Sequence, residues 1–338
     1  MNKIALLQQC VGSLVGVHVG DSAGAPEETK GPKEIADGIT ERGGFGFYDY
    51  KNPWAKDGNG LILPAGRPTD DSEQTACLAA SLITHNGLNT AHLYELLRES
   101  VFDQKSLLWS GRSTGAGGTT RNALSSNPVR MTLARNNTIG TNGSLMRSAP
   151  MGLWWATRIL QVDDEAVRVA NVKEAKAMVY AMSDITHAHP HSKEACWLYT
   201  VILANLLVGN GVEAALSNVE YTDPEIVKSK MVQRVFLSLY DSDLIPYDPG
   251  AFPARGTAEF SLYVALCALK HSNTFAEGIE MAVRVGGDTD TYAAIAGGLL
   301  GAHYGYDAIP LEWLAAILGH DVMVKLATDI YELRCTSN

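Results

Sequence analysis

Two short stretches of this chain concentrate oxygen ligands. Gly286-Gly287-Asp288-Thr289-Asp290-Thr291 sets two carboxylates two residues apart with threonines interleaved, and Thr69-Asp70-Asp71 sets two more beside a hydroxyl. In an extended or turn segment, residues two apart point to one side, so Asp288 and Asp290 can address a common point. If the stretches meet, four carboxylates share one site, and each pair about 4 Å apart repels by roughly 4 kcal/mol at an effective dielectric of about 20. Divalent cations would offset that repulsion. An all-oxygen donor set favours hard ions such as Mg2+, Mn2+ or Ca2+ over Zn2+, which prefers nitrogen and sulfur. Each stretch alone also fits a helix N-terminus, where Asp and Thr cap free amides and offset the macrodipole.

Three further stretches look chemical. Ser113-Thr114-Gly115-Ala116-Gly117-Gly118-Thr119-Thr120-Arg121 is a run of small residues leading into a helix (Asn122 to Ser125), where amides and hydroxyls can hold phosphate oxygens. It has neither the P-loop lysine nor a preceding strand, and a flexible turn also accounts for it. Gly140-Thr141-Asn142-Gly143-Ser144 can turn sharply and expose amides before Leu145 and Met146 return to the core. His187, His189 and His191 alternate, but proline at 190 and the lack of matching cysteine or histidine ligands argue against zinc. A hydrogen-bonding role for His187 in a polar cavity fits better.

The elements that position these groups read as helices. Ile4 to Val19 is a glycine-containing first helix that runs into an acid-bearing turn, Gly20-Asp21 to Glu28. Gly31 to Pro68, rich in Gly, Pro, Asn and aromatic residues with little periodicity, reads as a long irregular loop, either a lid or a surface excursion. The acids at 70 and 71 lead into an apolar helix, Ala76 to Ile83. Leu93, Leu97 and Val101 stripe one helix, Ala195, Leu198, Tyr199, Ile202 and Leu206 another, and Val322, Leu326, Ile330 and Leu333 the last. Asp223-Pro224 looks like a helix start, and Thr274 with Glu277 is a capping box. The segment after Asp290 is so rich in alanine and glycine that it must be a buried helix letting backbones approach closely. Alternating strand patterns are scarce, so the expected fold is all-α, one domain over residues 1–338.

Composition agrees with an enzyme-sized globular chain: 338 residues, 46% apolar and 19% charged. A net charge of −10 argues against nucleic acid or an anionic membrane as principal partner. Five cysteines without C-x-x-C spacing read as reduced core residues of a cytoplasmic protein. The N-terminal apolar run is broken by Gln8 and Gln9, so it reads as a helix rather than a leader, and no apolar run approaches the roughly 20 residues of a membrane span.

Taken in order, Gly20-Asp21 through Glu28, Thr69-Asp70-Asp71, Gly118-Thr119-Thr120-Arg121, Asn142 through Pro150, Thr186-His187 and Gly286 through Thr291 resemble the ADP-ribosylglycohydrolase family over essentially the whole chain. The resemblance implies a compact helical fold with a binuclear Mg2+ or Mn2+ centre at the bottom of a cleft. Thr69, Asp70, Asp71 and Asp290 would hold one ion, and Asp288, Asp290 and Thr291 the other. Gly115, Gly117, Gly118 and Thr119 would cradle a diphosphate, Asn142, Gly143 and Ser144 would contact ribose or phosphate, and His187 would lie along the cleft.

The implied reaction is hydrolysis of an N-glycosidic bond through an oxocarbenium-like state, with Glu28, Asp70 and Asp71 as candidate acids and Glu27 as the competitor if the register shifts. The partner would be an ADP-ribosylated protein or a small ADP-ribosyl substrate. The segments GTTRNAL and SLMRSAP look closer to the arginine-directed bacterial branch. The alternatives are a hydrolase of serine-linked, O-acetyl or poly-ADP-ribose, and a non-catalytic binding relative. The complete acidic set disfavours the latter.

Overall fold

Glycine recurs at every fourth position of the first helix, α1 (Lys3–Gly24), and residues four apart share a face. Gly12, Gly16, Gly20 and Gly24 therefore form a ridge with no side chains. In the computed structural model, which describes residues 3–51, 62–127, 129–131, 139–241 and 256–335, a second helix runs antiparallel along that ridge. A Cβ on Gly16 would stand 2.2 Å from the Gly297 carbonyl oxygen, and one on Gly20 1.9 Å from that of Ala293. The two backbones touch. This is the small-residue helix expected after Asp290, and it is buried from Thr289 to Ala302.

Other helices wrap this pair. After α1 come α2 (Pro32–Arg42), a short antiparallel hairpin of β1 (Tyr50–Lys51) and β2 (Ile62–Leu63), then α3 (Asp70–His85), α4 (Thr90–Phe102) and α5 (Gly118–Ala123). They are followed by α6 (Ala149–Leu160), α7 (Glu165–Asp184), α8 (Pro190–Leu207), α9 (Val212–Thr222) and α10 (Lys230–Asp241). The chain ends with α11 (Ala258–His271), α12 (Phe275–Arg284), the ridge partner α13 (Thr289–Tyr304), α14 (Leu311–Ala316) and α15 (His320–Cys335). The fold is all-α. One continuous apolar core includes Trp154, Trp155, Trp197 and Phe260, and α15 packs against both α1 and α3. Among the described residues no helix is long and apolar enough to cross a membrane.

Several local expectations need correction. The segment from Gly31 to Pro68 is not one irregular loop: Pro32 opens α2, Ile35 and Ile39 bury its inner face, and Gly43 at φ +76° closes it. The middle of that loop, residues 52–61, lies outside the described residues. Asp223 does not start an α-helix: its Oδ1 accepts from Glu225 N at 3.1 Å in a turn that leads into a 3-10 helix, Ile226–Lys228. Asp223 follows α9, and its carboxylate takes Lys176 Nζ and Trp197 Nε1, both at 2.7 Å, while the next α-helix begins at Lys230. Thr274 caps α12 as expected, its Oγ1 accepting from Glu277 N at 3.1 Å, while the Glu277 carboxylate reaches one residue past the box, to Asn273 N at 2.8 Å. Cys10, Cys77, Cys196 and Cys267 are buried free thiols, and the side chain of Cys335 lies outside the described set.

Candidate active site

The glycine ridge ends at the acids. Thr289 Oγ1 donates to the Gly24 carbonyl at 2.8 Å, which joins the C-terminus of α1 to the N-terminus of α13. Beyond a 3-10 turn at Ala25–Glu27, the chain pairs with the glycine turn before Asp288: Thr29 N donates to Gly287 O at 2.7 Å, and Gly287 N to Lys30 O at 2.9 Å. Gly286 and Gly287 sit at φ +73° and +90°, which favour glycine. Thr29, at φ +71°, is held in a conformation that costs a β-branched residue strain. Glu28 is thereby set against the cleft. Glu27 turns the other way, 1% exposed, paired with Lys30 at 2.9 Å and Arg42 at 2.5 Å and accepting from Tyr48 Oη at 2.9 Å.

The second acidic stretch is braced from α1. Asp70 and Asp71 stand in the first turn of α3, whose free amides are capped by Asp21 rather than by a local side chain. Asp21 accepts from Thr69 N at 2.9 Å, Thr69 Oγ1 at 2.6 Å, Ser72 N at 3.0 Å and the Ser72 hydroxyl. Sequence reasoning left Asp21 out of the site. Its early signal was its place in the acid-bearing stretch Gly20 to Glu28, expected as a turn, but α1 runs on through Gly24 and holds Asp21 on the helix.

Carboxylate oxygens of Asp21, Asp71 and Asp290 lie within 4.8 Å of one another, and so do those of Glu28, Asp288 and Asp290. Asp290 belongs to both groups. Four donors nearly fill the acceptor capacity of Asp21, so it serves as a cap, whereas Asp71 Oδ1 is buried with no hydrogen-bond partner. Among the described residues no lysine or arginine pairs with Asp70, Asp71, Asp288 or Asp290. Burial first, and then the neighbouring carboxylates, push Asp70, Asp71 and Asp290 well above the usual carboxylate range. Burial also raises Asp288, against the hydrogen bond it accepts from Asn142. An orphaned buried oxygen amid uncompensated carboxylates fits a hard cation. No histidine joins either group among the described residues.

These acids floor a cavity of about 210 Å3. Gly115, at φ +110°, brings its loop so close to the floor that a Cβ would stand 2.5 Å from Asp70 Oδ1. At Gly117 and Gly118 a Cβ would meet nothing within 4 Å, so these two glycines leave open space over their backbone. On the facing wall Asn142 Nδ2 donates to Asp288 Oδ2 at 2.7 Å and Ser261 Oγ at 2.8 Å. Gly143 lies against the His187 ring. His187 is buried, and burial together with the Arg147 charge pushes its pKa down to about 3, so the ring is neutral.

Glu28, Asp70, Asp71, Gly115, Gly117, Gly118, Thr119, Asn142, Gly143, His187, Asp288, Asp290 and Thr291, all singled out from sequence, line this one cavity. Two predicted residues do not. Thr69 is fully buried and its hydroxyl donates to Asp21. Ser144 is packed beneath the wall, where its oxygen accepts from Ser183 Oγ at 2.8 Å and Cys196 Sγ at 3.4 Å, so it does not reach the cleft. Thr120, Thr141, Met146 and Gly256 line the cavity and were missed. Thr120, Thr141 and Met146 lay inside stretches already marked, while nothing in sequence pointed to Gly256.

The sequence model of the family described as ADP-ribosylglycohydrolase matches residues 2–338. Over 336 residues the chain is 25% identical to ADP-ribosylarginine hydrolase Tri1 of Serratia proteamaculans, covering 96% of this chain and 79% of that protein. It is 26% identical over 316 residues to the ADP-ribosyl-[dinitrogen reductase] glycohydrolase of Rhodospirillum rubrum, covering 91% and 90%. A solved structure, an ADP-ribosylglycohydrolase-related protein complex, superposes with a TM-score of 0.69 at 25% identity, over 98% of this chain and 99% of that one.

Proposed function

We propose that this chain, which belongs to the ADP-ribosylglycohydrolase family and is a hydrolase of glycosidic bonds, removes ADP-ribose from modified arginine side chains by metal-dependent cleavage of the N-glycosidic bond. The observation that carries the reading is the pair of carboxylate groups sharing Asp290, opposite a glycine loop with open space above it. Residues 1–338 are taken as one such unit.

Two divalent cations, Mg2+ or Mn2+, would supply positive charge that holds ribose hydroxyls and stabilises charge developing at the sugar. Asp70, Asp71 and Asp290 with Thr69 would hold the first, and Asp288, Asp290 and Thr291 the second. Thr69 gives its hydrogen to Asp21, which leaves oxygen lone pairs for an ion. The backbone of Gly115 to Thr119 receives the diphosphate. Asn142 holds Asp288 in place and presents its turn to the ribose.

Glu28 is the carboxyl best placed for proton transfer, because it lines the cavity while Gln74 Nε2 already occupies Asp70 Oδ2 at 2.6 Å. Water attacks the anomeric carbon as the carbon–nitrogen bond lengthens. Glu28 takes a proton from that water and passes it to the departing guanidino nitrogen, which restores the carboxylate. ADP-ribose and the unmodified arginine side chain are the products.

Names of relatives support the arginine linkage, including a second ADP-ribosylarginine hydrolase Tri1, from Pseudomonas putida, at 24% identity over 96% of this chain and 78% of that protein. The second reading is a hydrolase of serine-linked, O-acetyl or poly-ADP-ribose. It stays open because 57 residues are 47% identical to ADP-ribosylhydrolase ARH3 of Danio rerio, 17% of this chain and 15% of that one, a relative whose name gives no linkage, so the relatives do not all point to arginine. The test is release of ADP-ribose from ADP-ribosyl-arginine and ADP-ribosyl-serine peptides with Mg2+, Mn2+ or EDTA. Release from the arginine peptide that EDTA abolishes is the expected result. Release from the serine peptide alone would overturn the linkage, and undiminished release in EDTA would overturn the metal.

A further inference from the structure

Arg147 is fully buried between the two halves of the cleft. Its Nη1 donates to Gln74 Oε1 and to the Gly143 carbonyl, both at 2.8 Å, and its Nη2 donates to Thr186 Oγ1 at 2.8 Å. Arginine only donates, so Gln74 must present its oxygen to Arg147 and its amide to Asp70 Oδ2. One side of the guanidinium thus leads to the acidic floor and the other toward His187. The Thr186 hydroxyl, already accepting from Arg147, needs an acceptor for its own hydrogen in a fully buried place. His187 Nδ1 lies 2.7 Å from it. A neutral ring that accepts at Nδ1 carries its proton at Nε2. Nε2 faces the cavity beside Gly143, 3.0 Å from where a Cβ there would stand.

We propose that Arg147, acting through Thr186, fixes His187 as the Nε2–H tautomer, so that the ring offers a permanent hydrogen-bond donor to a phosphate or hydroxyl oxygen of the bound ADP-ribosyl group, while Gln74 carries the same anchor to Asp70. Arg147 and Thr186 are positioning residues, and His187 is the group that touches ligand. The ligand's identity rests on the functional reading above, but the tautomer does not.

Two-bond 1H–15N NMR spectra of the unliganded full chain, with His187 assigned from a His187→Asn variant, read the ring nitrogens directly. The expected result is Nε2–H in wild type and in Thr186→Ser, and Nδ1–H or a mixture in Thr186→Val. In calorimetry with saturating Mg2+, Thr186→Val should weaken ADP-ribose binding roughly tenfold and Thr186→Ser should stay within about twofold of wild type, as for one hydrogen bond to a charged acceptor. An Nδ1–H or doubly protonated ring in wild type overturns the proposal, and so does a Thr186→Val protein that keeps both the tautomer and the affinity. Wild type that does not bind ADP-ribose would sink the functional reading, with the spectra still deciding the relay.

Discussion

Glu27 and Glu28 are adjacent, identical in chemistry and opposite in surroundings. Glu27 is buried with Lys30, Arg42 and Tyr48 and holds the loop, while Glu28 faces the cleft with Asp288 and Asp290. Glu28→Gln should lower turnover by about 10²- to 10⁴-fold, the usual worth of a proton-transferring group, with ADP-ribose binding retained. Glu27→Gln should instead cost about 1–3 kcal/mol of stability by leaving buried partners unmatched, read as a lower urea midpoint. If Glu27→Gln abolished turnover at unchanged stability, the roles would be reversed. Sequence could name the pair but not separate it, because the partners that decide lie 15 and 21 residues downstream at Arg42 and Tyr48. Ser144 shows the same gap from the other side. Its type suits a site, and only packing reveals that Ser183 and Cys196 claim its oxygen.

At the scale of elements, the ridge on α1 sets the distance between Glu28 and Asp290. A glycine-containing first helix and a small-residue helix after Asp290 were both legible in the sequence, but the four-residue period of those glycines went unread, and neither segment said that each helix is the other's partner. α2 escaped because Gly31, Pro32 and Gly43, read as loop markers, are its start and stop signals. Gly20→Ala places a Cβ 1.9 Å from a backbone oxygen of α13, and backbone cannot rotate aside. The helices must separate, at a cost of about 1–3 kcal/mol or more, and the acids at their ends move with them. The expected result is a lower melting temperature together with weaker Mn2+ binding by calorimetry. Gly31→Ala, where a Cβ meets nothing within 4 Å, should change neither, which separates crowding from the general effect of losing a glycine. Intact Mn2+ affinity in a destabilised Gly20→Ala protein would show that the ridge supports the fold without setting the site.

Over the whole molecule, three segments, the last more than half the chain beyond the other two, bring Glu28, Asp70, Asp71, Asp288 and Asp290 to one cavity, and no described cation pairs with the four aspartates. The fold alone does not favour that arrangement, since each buried carboxylate is desolvated and repelled by its neighbours. A ligand that binds only the folded state stabilises it by roughly 2.7 kcal/mol at a hundredfold excess over Kd. Mg2+ or Mn2+ should therefore raise the melting temperature by several degrees, growing with the logarithm of ion concentration and reversed by EDTA. Asp290→Asn should show two opposite effects. It removes the carboxylate common to both groups, so the ion-induced rise should shrink, yet it also removes a repelled buried charge, so in EDTA the variant should be at least as stable as wild type. A wild-type midpoint indifferent to both ions would take cations out of the mechanism, and the buried acids would then have to be kept neutral by protons instead.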